Sequence, residues 1–203
     1  MARIPNGRKP AEAQTPEEVE RRQGLLAAAA LLVERDGYER VQMTEIARTA
    51  GVAIGTLYRY FPSKAKLFEV ALYEEMALFA AEWTESPSSD RIGEVADHLV
   101  LLTRQIAGRP RLAAAMFHAS MAGYATATVE ERGRTEMPLP RRILEAVGID
   151  NPTAMDLERA QLLRDAWWSI LVKIVVGHLA FESGESQLRL ACRLLLLESV
   201  ATP

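Results

Sequence analysis

Between Gly55 and Lys64 the chain reads GTLYRYFPSK, which places three of its ten Phe and Tyr residues beside an Arg and a Lys. Thr56, Tyr58, Arg59, Tyr60 and Lys64 offer hydroxyls, a planar five-donor guanidinium and an ammonium. None of them pairs a nucleophile with a base. The chemistry within reach is binding, because such donors meet phosphate oxygens and the edges of bases. Elsewhere the reactive types are scattered. His98, His118 and His178 lack HxxxH or HExxH spacing and have no phosphate-binding loop or glycine-flanked serine nearby, so structural histidines are expected. Cys192, the single cysteine, excludes an internal disulfide and a cysteine-based zinc cluster, and is expected to pack as a small apolar residue. No catalytic residue, metal or cofactor is expected, and the chain reads as something other than an enzyme.

Donors so close together need a short rigid element to aim them. Alternation cannot put Tyr58, Tyr60 and Phe61 on one strand face, whereas a helix over Ile54 to Phe61 buries Leu57 and Phe61 and ends before Pro62. Upstream, MTEIARTA suits another short helix with Ile46 and Ala47 inward, and the chain turns at Gly51. Two short helices joined at a glycine match a helix-turn-helix, whose second helix enters the major groove. Gly55 would then allow close backbone approach, Thr56 would meet a base edge or a thymine methyl, and Arg59 would fork onto guanine. Tyr58 and Tyr60 suit phosphate oxygens. Lys64, in the first turn of the next helix, opposes the helix dipole and calls for an anion such as a bound phosphate.

The surrounding elements are helical. Thr15, Pro16 and Glu18 form a capping-box pattern opening a helix with Leu25, Leu26, Ala29, Leu32 and Val33 on one stripe, and Gly37 provides its exit. A fourth helix follows Ser63 as far as Trp83, with SPSSD as a boundary region. Further helices are expected near 89–107, 110–122, 124–147, 154–181 and 186–200, separated by GRP, a glycine, VGIDNP and SGES. Alanine and leucine dominate and β-branched residues are sparse, so the fold class is all-α. The organisation expected is a flexible arm over 1–15, a three-helix DNA-binding domain over 16–66, and a helical bundle over 67–203.

Residues 1–66 carry 11 Lys and Arg against 8 Asp and Glu, while residues 67–203 carry 13 against 19, so the basic end is the candidate for a polyanion. No apolar segment near the N-terminus resembles a signal peptide, and the longest apolar run, Trp167 to Phe181, is short for a bilayer and contains Lys173 and His178. A cytoplasmic protein with no membrane partner is expected. The last two helices are apolar over more than one face, which predicts a homodimer placing two recognition helices about one DNA turn apart on a pseudo-palindromic double-stranded operator.

The stretch YERVQMTEIARTAGVAIGTLYRYFPSKAKLF resembles the DNA-binding domain of the TetR family of transcriptional regulators. The likeness covers roughly residues 16 to 70 and runs through Ile46-Ala47, Gly51-Val52, Gly55-Thr56-Leu57-Tyr58, Tyr60-Phe61 and Ser63-Lys64. It implies DNA-binding positions at Gln42, Thr44, Ala53, Ile54, Gly55, Thr56, Tyr58, Arg59, Tyr60 and Lys64. Gln42, Ala53 and Ile54 depart from the hydroxyls and the lysine usual there, which shifts the load to Arg59, Tyr60 and to Arg8, Lys9, Arg21 and Arg22.

The resemblance also implies an effector pocket in the later helices. Bulky soft side chains recur there at helical spacing: Met76, Phe79 and Trp83; Met116, Phe117, His118, Met121 and Tyr124; Trp167, Trp168 and Leu171. Together with RDAWWSILVKIVVGHL and RLACRLLL, the motif is similar to regulators of steroid catabolism. That likeness implies a repressor released by a hydrophobic small molecule such as a steroid acid or its coenzyme A thioester. The alternatives are a non-inducible DNA binder of the same fold and an all-α small-molecule carrier.

Overall fold

In the computed structural model, which describes residues 15–83, 89–126 and 138–200, the regular structure is helical. The arm expected over 1–15, with Arg8 and Lys9, lies outside them except for Thr15. That threonine opens α1 (Pro16–Asp36): its hydroxyl accepts the Glu18 amide at 3.3 Å, leaving one fewer unpaired donor in the first turn. The helix buries Leu25, Leu26, Ala29, Leu32 and Val33, and ends where Gly37, at φ 81°, donates its amide to Val33 O.

Next come α2 (Met43–Thr49), α3 (Ile54–Tyr60) and α4 (Lys64–Glu82). Gly51 turns the chain between α2 and α3 at φ 70°, a conformation that residues with a Cβ adopt at a cost of about 1–2 kcal/mol. Phe61 is extended, at φ −130° and ψ 96°, because the ring of Pro62 disfavours helical geometry at the residue before it. Ser63 caps α4 through its Oγ, which accepts the Lys66 amide at 3.1 Å.

Two compact units result. The first comprises Met1–Leu72 and Ala114–Thr128, the second Tyr73–Ala113 and Val129–Pro203. In the first, α1 packs on α2 and α2 on α3. Its first segment runs to Leu72, inside α4, where the sequence expectation placed the division at residue 66. Both α4 and α6 (Pro110–Thr126) pass from one unit into the other.

The second unit contains α5 (Arg91–Ala107), α7 (Pro138–Ala146), α8 (Ala154–Val175) and α9 (Phe181–Val200), with α9 against α5 and α8, and α7 against α8. Thr153 and Asp156 form a reciprocal capping box at the start of α8. Buried Trp167 donates its indole N–H to Thr103 Oγ1 at 2.9 Å, and that hydroxyl donates to Leu99 O at 2.7 Å, so both of these buried side-chain polar groups are satisfied. Cys192 of α9 is buried, which pushes its thiol pKa up to about 12.

The expected helix 154–181 is corrected. It stops at Val175, because Gly177 turns left-handed at φ 76° and the His178 amide donates to Lys173 O at 2.8 Å. The expected separator SGES is also corrected, since it lies inside α9. A Cβ built on Gly184 would stand 2.6 Å from Ile174 Cδ1, so this glycine serves close packing on α8 and not a break. Residues 127–137, within the helix expected over 124–147, lie outside the described residues. Among the described residues, no helix is long and apolar enough to cross a membrane.

Candidate nucleic-acid interface

Leu57 at 0 % and Phe61 at 1 % exposure anchor α3 from behind. The side turned outward carries Ala53, Ile54, Gly55 and Arg59, all exposed, with Thr56 and Tyr58 half-buried. Gln42 and Thr44 are exposed at the start of α2. Neither Gln42 nor Ala53 caps its helix with a side-chain hydrogen bond, so the hydroxyls missing from these positions are missing in local structure as well. Among the described residues, nothing beyond its own helix backbone and chain neighbours lies within 4 Å of where a Gly55 Cβ would stand, so no packing contact there demands glycine.

Two expectations are corrected. Tyr60, assigned to DNA from the sequence, is buried at 2 % exposure, its ring 6.4 Å from that of Phe61, because its position on α3, three residues after Leu57, turns it toward the core. Its hydroxyl accepts Arg59 Nη2 at 2.7 Å, and the same Nη2 donates to Glu18 Oε1 at 3.1 Å. The Tyr60 hydroxyl first, and then the Glu18 carboxylate, hold the guanidinium's pKa above its ordinary value.

The anion expected at Lys64 is replaced from within. Lys64 Nζ donates to Tyr38 O at 2.8 Å and Val41 O at 3.2 Å, and stands 4.2 Å from the centre of the Tyr38 ring. Two carbonyl dipoles and an aromatic face supply the negative end that a lysine in a first helical turn requires. The Tyr38 ring also meets Phe68 at 5.4 Å and His118 at 4.7 Å, and burial, followed by the charge of Glu39, raises the Tyr38 phenol pKa. In the sequence Tyr38 stands as one aromatic in a polar loop, with no periodic neighbour to mark it.

Of the arm-side cations, Arg21 pairs with Glu17 at 2.9 Å and Arg22 lies over the Phe61 ring at 5.6 Å, where burial lowers its pKa.

The pocket candidates divide between the units. In the second, Phe79 meets Trp83 at 6.4 Å, and Trp83 stacks on His98 at 4.4 Å with rings within 5° of parallel. Arg142 donates to Trp83 O and faces its ring. His98, which the sequence marks as a structural histidine, donates its Nδ1 to Glu94 O, one helical turn back. Met76, Trp167 and Leu171 are fully buried, and Trp168 is half-buried 6.4 Å from Trp167. In the first unit Met116 and Phe117 are buried, His118 rests on Tyr38, and Met121 is 64 % exposed. The side chain of Tyr124 lies outside the described residues.

Comparison with known proteins places both parts of the chain. Residues 25–71 match the family model for bacterial regulatory proteins of the tetR family, and residues 89–195 match that of the tetracyclin repressor-like C-terminal domain. The HTH-type transcriptional repressor KstR of Rhodococcus jostii (strain RHA1) is 33 % identical over 184 residues, covering 91 % of this chain and 86 % of that protein. KstR of Mycobacterium tuberculosis is 31 % identical, covering 87 % and 81 %. Among solved structures, a TetR transcriptional regulator from Rhodococcus sp. RHA1 superposes with a TM-score of 0.77 at 34 % identity, covering 90 % of this chain and 98 % of that one. Thermus thermophilus FadR, a TetR-family repressor solved in complex with lauroyl-CoA, shares the fold with a TM-score of 0.61 at 22 % identity, covering 86 % and 93 %.

Proposed function

The chain belongs to the TetR family and is a transcriptional repressor of that kind, and from that premise we propose that it binds a pseudo-palindromic operator as a homodimer and leaves it when a hydrophobic small molecule binds. The observation that carries this reading is the outward side of α3, where Ile54, Gly55, Thr56, Tyr58 and Arg59 surround a helix held from behind by Leu57 and Phe61. Thr56 and Arg59 are the base-reading side chains. Tyr58, Gln42 and Thr44 take phosphate oxygens.

Dimerisation is supported by α9, which has two apolar faces. Leu188, Cys192 and Leu196 are buried, while Leu190, Leu194 and Leu197 form a second stripe, 56 to 69 % exposed. Met155 and Leu162 of α8 are exposed as well. Apolar stripes of this extent mark interaction surfaces, and a second copy of the same two helices is the occupant that closes with two-fold symmetry.

The proposed effector is a steroid acid or its coenzyme A thioester, with Phe79, Trp83 and Trp168 among the residues that meet it. Release is a population shift: an effector that prefers one dimer geometry lowers affinity for the operator that needs the other. Helix α4, which begins in the DNA-binding unit and ends in the second, is the proposed carrier. A non-inducible repressor is the second reading. It is favoured by the full burial of Met76, Trp167 and Leu171 and by the satisfied Trp167–Thr103 hydrogen bond, which describe a filled core.

A fluorescence-polarisation titration against DNA from the protein's own promoter region, with and without steroid and acyl-coenzyme A compounds, separates them. Tight binding released by one compound supports the inducible reading, tight binding that none releases supports the second, and no binding to any operator fragment contradicts both.

A further inference from the structure

Arg59 is the residue to which the proposed function gives guanine recognition, and the inference below rests on that reading. A guanidinium can grip two acceptors at once in two ways, through Nε and Nη2 or through Nη1 and Nη2. Both forks use Nη2. In this chain Nη2, which has two hydrogens, already has two acceptors, Tyr60 Oη at 2.7 Å and Glu18 Oε1 at 3.1 Å. The guanidinium also faces the Tyr60 ring, 4.8 Å from its centre. A partner that merely aimed Arg59 at DNA would leave one fork open. Here neither fork is open, and only Nε–H and the Nη1 hydrogens remain for single contacts.

We infer that Glu18 is an intramolecular competitor for Arg59: its carboxylate occupies the nitrogen needed to read a guanine, and operator binding must displace it. The contact joins α1 to α3 across 41 residues of sequence, so it is not a product of local helix spacing. Both partners keep access to solvent, with 49 % of the Arg59 side chain and 25 % of the Glu18 side chain exposed, so the pair can open without unpacking the core. Glu18 thereby sets operator affinity below what the recognition helix would otherwise reach.

The test is a double-mutant cycle with Glu18→Gln, Arg59→Ala and the double variant. Operator affinity is read at low salt, so that weak complexes remain measurable, and thermal unfolding of each variant verifies the fold. Glu18→Gln should bind the operator about two- to fivefold tighter than wild type, the range expected for release of an exposed ion pair. The same change on the Arg59→Ala background should have no effect. A gain that persists without Arg59 would show general repulsion between Glu18 and DNA and overturn the proposal. An unchanged or weakened Glu18→Gln complex would overturn it too, the latter by making Glu18 a positioning residue. These outcomes presuppose a wild-type complex; its absence would refute the DNA reading itself.

Discussion

At the scale of single residues, Lys64 and Tyr58 should part company on truncation. The Lys64 ammonium joins two loop carbonyls to the start of α4, so Lys64→Ala strips the donor from Tyr38 O and Val41 O. Its midpoint in urea should correspond to a loss of about 1–3 kcal/mol; an unchanged midpoint would show that the carbonyl contacts carry no stability. Tyr58 is half-buried on the outward side of α3, and Tyr58→Phe should unfold within about 0.5 kcal/mol of wild type while losing several-fold in operator affinity. The residue types of this stretch were legible as a donor set, and Leu57 and Phe61 as its buried anchors. Helical spacing also puts Tyr60, three residues after Leu57, on the buried face; what spacing does not convey is that the loop carbonyls of Tyr38 and Val41 reach Lys64 from more than twenty positions away. Partners so distant in the chain leave no periodic trace.

At the scale of elements, the caps were written locally and are found where Thr15, Gly37, Gly51 and Ser63 announce them. The α8–α9 junction was harder. The apolar run across it hides the break, and two glycines seven residues apart exchange the roles that local rules would give them. Gly177 turns the chain and has open space where a Cβ would stand, so Gly177→Ala should cost only the left-handed strain, about 1–2 kcal/mol. Gly184 is helical and faces Ile174 and Ile170 within 3.2 Å. Gly184→Leu should cost at least as much, about 1–3 kcal/mol through overpacking, and should retain little of that cost when Ile174 is cut to Ala in the same chain. Thermal unfolding of the set checks both. No rescue by Ile174→Ala would mean that the contact does not explain the glycine.

At the scale of the whole molecule, an all-α chain with an N-terminal helix-turn-helix was readable from composition and motif, because both are written in short windows. The grouping of Ala114–Thr128 with the DNA-binding unit was not, since it follows from packing between distant segments. The second apolar face of α9 was visible as excess hydrophobicity, and the structure resolves it into the stripe Leu190, Leu194 and Leu197. If that stripe joins two copies, Leu194→Glu should sediment as a monomer and bind an operator half-site at least tenfold more weakly than the dimer binds the full site. A dimeric Leu194→Glu protein would place the interface elsewhere.

Whether the outward side of α3 reads DNA is tested by comparing wild type with Thr56→Ala on operator and unrelated DNA across a range of salt. Wild type should prefer the operator and lose affinity steeply with salt, as phosphate neutralisation requires. Thr56→Ala should keep that salt slope and its unfolding temperature but lose about tenfold or more of its preference for the operator, the discrimination carried by a base contact. An unaltered preference in a folded Thr56→Ala protein would contradict the claim and take the reading surface away from α3.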